Sequence, residues 1–136
     1  MIEHNIKEGM SITFEKEIRE RDTIGDYGSN SLDYLMSTPS LMAILISASA
    51  KLLNPLVPEG SVTVGGSVEL RHEQPTLLGE KVWMVVTVKE VNGDRISLEF
   101  VANDKSGVIA KGKHERFVVK GEDVLDAAYK RLGVEQ

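Results

Sequence analysis

The sequence predicts an α+β fold in which a curled antiparallel sheet wraps around one apolar helix. Three observations carry that prediction. The stretch from Tyr34 to Ala50 holds no charged residue. From Ser61 onward, apolar residues recur with period two, the repeat of a strand with one buried face. Asn92-Gly93 and the run Asn103 to Gly107 mark short turns between those strands. With 136 residues, 41% hydrophobic and 27% charged, the chain suits one compact domain over residues 1–136.

The elements follow in order. Ser11 to Ile18 alternates loosely and suits a first strand. Arg19 to Ser31 is polar and reads as a loop, and SNSLDYLM adds a short helical turn. Thr38 then serves as N-cap and Pro39 as first helical residue. The helix LMAILISASAKLL is apolar on nearly every face, so it must be wrapped on all sides, and it ends near Asn54-Pro55. In the strand after Ser61, Val62, Val64, Val68, Leu70 and His72 share one face, with Thr63, Ser67, Glu69 and Arg71 on the other. Further strands span Glu80 to Val91, Arg95 to Ala102 and Val108 to Val119. The Asn92-Gly93 turn joining the first two of these is of type I′. Gly121 to Leu132 is an amphipathic helix with Val124, Leu125, Ala128 and Leu132 on one face. This is the hot-dog arrangement. One such sheet has two free edges and half-covers its helix, so a homodimer or dimer of dimers is expected.

Composition excludes several functions. The formal net charge of -5 argues against a nucleic-acid surface, which needs a basic face. There are no cysteines, and His4, His72 and His114 lack metal-ligand spacing, so neither thiol chemistry nor a metal site is expected. MIEHNIKEG lacks a secretory apolar run, and the uncharged stretch is shorter than a membrane span, which needs ~20 residues. A cytoplasmic protein without membrane partners is expected.

Among residues that could do chemistry, His72 ends a strand in register with its apolar face, where a general base is well placed; a structural histidine holding one hydrogen bond is the plainer reading. Thr38 is explained by capping alone, yet its hydroxyl would lie beside the electropositive helix start. His114 and Arg116 share parity with Val108, Ala110 and Val118, and an arginine there needs an anion or a buried partner unless it curls out to solvent. Lys111 and Lys113 take the other parity, solvated or facing a phosphate tail. Gly65-Gly66 inside a strand signals a bulge or a close approach. Met36, Leu41, Met42 and Leu45 suggest an adaptable apolar lining.

The segments STPSLMAIL, VTVGGSVELRHE and GVIAKGKHERFVV resemble the fluoroacetyl-CoA thioesterase family in order and spacing from about Thr38 to Val119. The resemblance implies hydrolysis of an acyl-CoA thioester at a dimer interface, with coenzyme A as part of the substrate and no separate cofactor. It implies Thr38 and His72 as catalytic residues, Gly65 as a backbone donor near the acyl group and Arg116 at the substrate. His114 and Met42 complete the expected substrate wall. The family's helix glutamate falls on Ile46, which can neither activate water nor attack a carbonyl. Helical spacing is expected to bring Ile46 within a few ångströms of Thr38 and His72. No acidic residue lies between Pro39 and Pro58; Glu69 and Glu73 have the wrong parity, and Asp26 or Asp33 would have to reach in from the loop. Two functions follow: a thioesterase with an atypical catalytic group, or a non-catalytic acyl-CoA-binding dimer. A dehydratase is weaker, because no Asp-x-x-x-x-His pair is present.

Overall fold

In the computed structural model, residues 1–27 and 31–134 are described. They form β1 (Ser11–Glu17), α1 (Thr38–Leu53), β2 (Ser61–His72), β3 (Lys81–Asn92), β4 (Arg95–Asp104), β5 (Gly107–Lys120) and α2 (Gly121–Leu132). The five strands make one antiparallel sheet in the order β1-β3-β4-β5-β2. β3, β4 and β5 form a meander. β2, although it precedes them, crosses to the far side and becomes an edge.

α1 packs against β1, β2 and β3. Its Leu41, Ile44, Leu45, Ala48 and Leu53 are buried against Val82, Met84, Val86 and Val88 of β3 and Ile96, Leu98 and Phe100 of β4. The other side of α1 is bare within the chain: Thr38, Pro39, Met42, Ala43, Ile46 and Ser47 are all exposed. The expectation of a helix wrapped all round is therefore half met, because a single sheet has only one face to offer it. With its trailing 3-10 turn the helix runs Thr38–Leu56, 19 residues of mean hydropathy 1.2, which by length and composition alone is enough to cross a membrane. Here it carries the sheet.

Several local expectations change. Ser37, not Thr38, is the N-cap; its side chain accepts from Ser40 N–H, and Thr38 and Pro39 are already helical. Residues 31–36 form a turn and two isolated bridges, Thr23–Met36 and Leu35–Leu77, instead of a helical turn, and residues 28–30 lie outside the described part. Asn92 pairs with Arg95, so the hairpin loop is Gly93-Asp94. Only Gly93 has positive φ there, +63°, which is the pattern of a II′ turn, not I′.

The larger correction concerns β2. A bulge between Gly65 and Ser67 inserts one residue against β5, and one extra residue reverses the side-chain faces beyond it. Thr63 is thus buried on the same side as Val68, Leu70 and His72, while Val62 is exposed. A second irregularity, where β4 pairs β5 near Ala102 and Asn103, buries Ile109 and leaves Val108 exposed. Val108 does not share the inner face with His114 and Arg116.

α2 keeps its expected bounds. Glu122 and Asp123 stand in its first turn, Lys130 and Arg131 in its last, and Gly133 closes it at φ 85°. None of its residues is buried, so the expected apolar face is uncovered within the chain.

Candidate active site

The start of α1 and the end of β2 build the first half of the site. Ser37 takes the capping role: its Oγ accepts from Ser40 N–H at 3.2 Å and donates to Ser40 Oγ at 2.9 Å. That frees the Thr38 hydroxyl, which lies 2.9 Å from Nδ1 of His72, the last residue of β2. Of the first-turn donors, Ser40 N–H is used by Ser37 Oγ, Leu41 N–H by Ser37 O, and Pro39 has none. Thr38 N–H remains free for a ligand among the described residues.

His72 Nε2 is buried and has no hydrogen-bond partner, the only such side-chain atom among the described residues. Leaving it so costs about 1–3 kcal/mol. Burial lowers the pKa of His72, with the Gln74 backbone partly offsetting. The ring is therefore neutral at pH 7. The contact admits either neutral tautomer; with Nδ1–H donating to Thr38 Oγ1, the Thr38 hydroxyl keeps its proton for a ligand and Nε2 carries a free lone pair.

The second cluster lies beneath the bulge. Arg116, 4% exposed, donates from Nε to Thr63 Oγ1 at 2.9 Å and from Nη2 to Thr63 O at 2.6 Å. Thr63 N–H and O–H both donate to Asn54 Oδ1, at 3.0 and 2.8 Å, just past the end of α1. His114 Nδ1 donates to Ser67 O at 2.8 Å, so its Nε2 accepts from Arg116 Nη1 at 3.2 Å. Burial, with the Arg116 charge adding to it, holds the His114 pKa below the ordinary value, against the Ser67 carbonyl. Arg116 thus does not curl out to solvent, and it has no carboxylate partner among the described residues. Gly65 is exposed above this cluster. A Cβ there would meet His114 Cε1 at 3.3 Å and Arg116 Nη1 at 3.9 Å, so the glycine keeps a window open onto both.

The depressed histidine pKa values set a pH dependence. Both groups titrate near the ordinary 6.5 when unfolded and lower when folded. Their contribution is complete above pH 6.5 and is lost as pH falls toward the folded values, because the unfolded chain then binds more protons. Each histidine adds a slope of at most about 1.4 kcal/mol per pH unit in that window. Urea midpoints at pH 7.5 and 5.5 should show the loss, and His72→Asn should reduce it. A loss undiminished from the wild type in both His72→Asn and His114→Asn would sink this account.

The expected site residues fall into two groups that one chain does not bring together. Thr38 meets His72, and Gly65 meets Arg116 and His114. His72 and Gly65 are seven residues apart on β2, roughly 20 Å at strand rise. Met42 and Ile46, 37% and 42% exposed, continue the Thr38 face of α1. Ile46 is two turns on, about 12 Å along the axis, so it does not touch Thr38. Met36, Leu41 and Leu45 face the sheet, fully buried, and line no cleft.

Among the described residues, no carboxylate stands beside Thr38 and His72. Glu73 pairs with Lys111 at 3.6 Å, Glu69 points outward beside Lys113, and Asp33 packs against Gly25. The Asp26 side chain lies outside the described part. A groove of about 540 Å³ on the outer sheet face is lined by Glu69, Arg71, Lys89, Lys111 and Lys113. It contains none of the residues of either cluster. Sequence reasoning missed Ser37, Thr63 and Asn54. Two adjacent hydroxyl residues before Pro39 were the signal for the first, and Gly65-Gly66 for the face reversal that turns Thr63 inward.

The comparisons agree with this fold. A hot-dog-like protein of Thermanaerovibrio acidaminovorans superposes with a TM-score of 0.86 at 31% identity, covering 91% of each chain. A Thermus thermophilus hypothetical protein, described as a thioesterase superfamily member, gives 0.83 at 24% identity over 95% of this chain and 94% of that one. The fluoroacetyl-CoA thioesterase FlK gives 0.84 at 20% identity over 93% and 97%, and its variants have been crystallised with fluoroacetate and CoA and with acetyl-CoA. No curated protein sequence matches. The family model described as fluoroacetyl-CoA-specific thioesterase matches residues 18–122. By that match, which takes in both clusters, the chain belongs to the fluoroacetyl-CoA-specific thioesterase family.

Proposed function

We propose that this protein hydrolyses acyl-CoA thioesters in a cleft between two copies of the chain. The carrying observation is the Thr38–His72 pair at 2.9 Å beside an unpartnered, buried His72 Nε2. A neutral imidazole can take a proton from water as it attacks the thioester carbonyl. Thr38 N–H and O–H stand where the tetrahedral oxyanion would form. Collapse of that intermediate breaks the C–S bond, and the coenzyme A sulfur leaves with the proton that His72 collected.

The second copy is needed for geometry. β2 is a free, twelve-residue edge, and such edges are normally paired or covered. Antiparallel pairing of two β2 strands about a two-fold axis near Val68 brings the His72 end of one copy beside the Gly65 bulge of the other. The Thr38–His72 pair then faces the window onto Arg116 and His114, and the roughly 20 Å gap closes. A dimer of dimers would repeat the same cleft. Arg116 is engaged by Thr63 and His114, so its charge acts on the acyl end through that window, not on a phosphate.

The absence of a carboxylate beside His72 among the described residues favours a second reading, a dimer that binds acyl-CoA without cleaving it. Turnover of acetyl-, butyryl- and hexanoyl-CoA, with calorimetric binding and solution mass in parallel, separates the two. Thiol release by a dimer supports hydrolysis. Binding without release supports the second reading, and a monomer that neither binds nor cleaves excludes both.

A further inference from the structure

We propose that the acyl end of this site is built for apolar chains that run along α1, and not for short polar or charged acyl groups. The proposal rests on the thioester reading above and names its substrate class. Thr38, Met42 and Ile46 stand at i, i+4 and i+8, one line on the bare side of α1. The line begins at the Thr38–His72 pair and extends about 12 Å. Ala43 and Ser47 flank it and leave room beside it. From Pro39 to Ala50 the helix carries no charge; Lys51 is the first.

A carbonyl held at Thr38 would lay its chain on Met42 and then Ile46. Each methylene taken from water onto that surface favours binding. A carboxylate or hydroxyl on the chain would lose its water with no polar partner on this line, a penalty that opposes binding. Replacement of the family's glutamate by Ile46 thus removes a charge from the acyl path and adds apolar surface in its place.

The test measures affinity without requiring chemistry. S-ethyl-, S-hexyl- and S-decyl-CoA thioethers are titrated calorimetrically into the wild type, Met42→Gln and Ile46→Asn, while hydrolysis of the matching thioesters is followed separately. Wild-type affinity should rise about fourfold per methylene until the line is filled. In Ile46→Asn the gain from hexyl to decyl should fall below twofold per methylene, and in Met42→Gln the gain from ethyl to hexyl should fall likewise. Equal affinity for all three thioethers would overturn the proposal, as it would if a second copy's helix alone covers this face. A rise that both substitutions leave intact would overturn it too. A rise without any hydrolysis supports the acyl path and rejects only the hydrolytic reading, whereas hydrolysis with flat affinities rejects only the acyl path.

Discussion

Ile46→Glu is expected to raise hydrolysis of a short acyl-CoA by about 10²–10⁴-fold, the usual worth of a positioned general base. Helical side chains lean toward the N-terminus, so a glutamate introduced at this position would lean back along the exposed face toward Thr38. The axial gap of about 12 Å then leaves space for the thioester carbonyl and one water between the carboxylate and the Thr38 hydroxyl. The glutamate would activate that water, and His72 would be left to hold Thr38 and the developing charge. Its apolar surroundings should raise the carboxyl pKa. The gain in kcat should therefore grow with pH through the titration of the new acid and level off above it. The same change places charge on the acyl path, so long acyl chains should profit least. Steady-state rates on acetyl-CoA across pH decide the matter. A wild type that is already fast, and an Ile46→Glu variant that is slower, would mean that another residue activates water.

His72→Ala is expected to remove at least 10²-fold from kcat while changing affinity for coenzyme A by less than about threefold, since a general base acts in the transition state and contributes little to ground-state binding. The reason is structural: among the described residues, His72 is the only titratable side chain hydrogen-bonded to Thr38, and no carboxylate supports it. Thr38→Val should also lower kcat. Combining the two should cost little more than the worse single change, because residues that act as a unit are not additive. The wild-type kcat should hold to pH values below the ordinary histidine range, since burial lowers the His72 pKa and keeps the base form present. Retention of full activity by His72→Ala would remove His72 from the mechanism. A parallel loss of coenzyme A affinity would instead mark it as a binding residue.

Much of the fold was legible because its causes are local. The uncharged run gave α1, period two gave the strands, and the helical spacing of Val124, Leu125, Ala128 and Leu132 gave α2 within its observed bounds Gly121–Leu132. Thr38, His72, Gly65 and Arg116 were legible as a set only through the family resemblance, since each alone has a plainer structural reading. The same resemblance leads one to expect a glutamate at the position of Ile46.

Tertiary structure decided the rest. Ser37 and Thr38 are equally good caps by residue type, and only the approach of His72 shows which hydroxyl is free for chemistry. The bulge at Gly65–Ser67 was visible as a possibility, but a single extra residue reverses every side chain beyond it. That reversal turns Thr63 inward to hold Arg116 and sends Val62 to solvent. The placing of β2 beside β5 at the sheet edge is a pairing between segments some fifty residues apart, as in Gly65 with Arg116. Period and caps are fixed by near neighbours along the chain. Which strand pairs with which, and therefore that one chain holds its two clusters roughly 20 Å apart, depends on contacts that near neighbours do not encode.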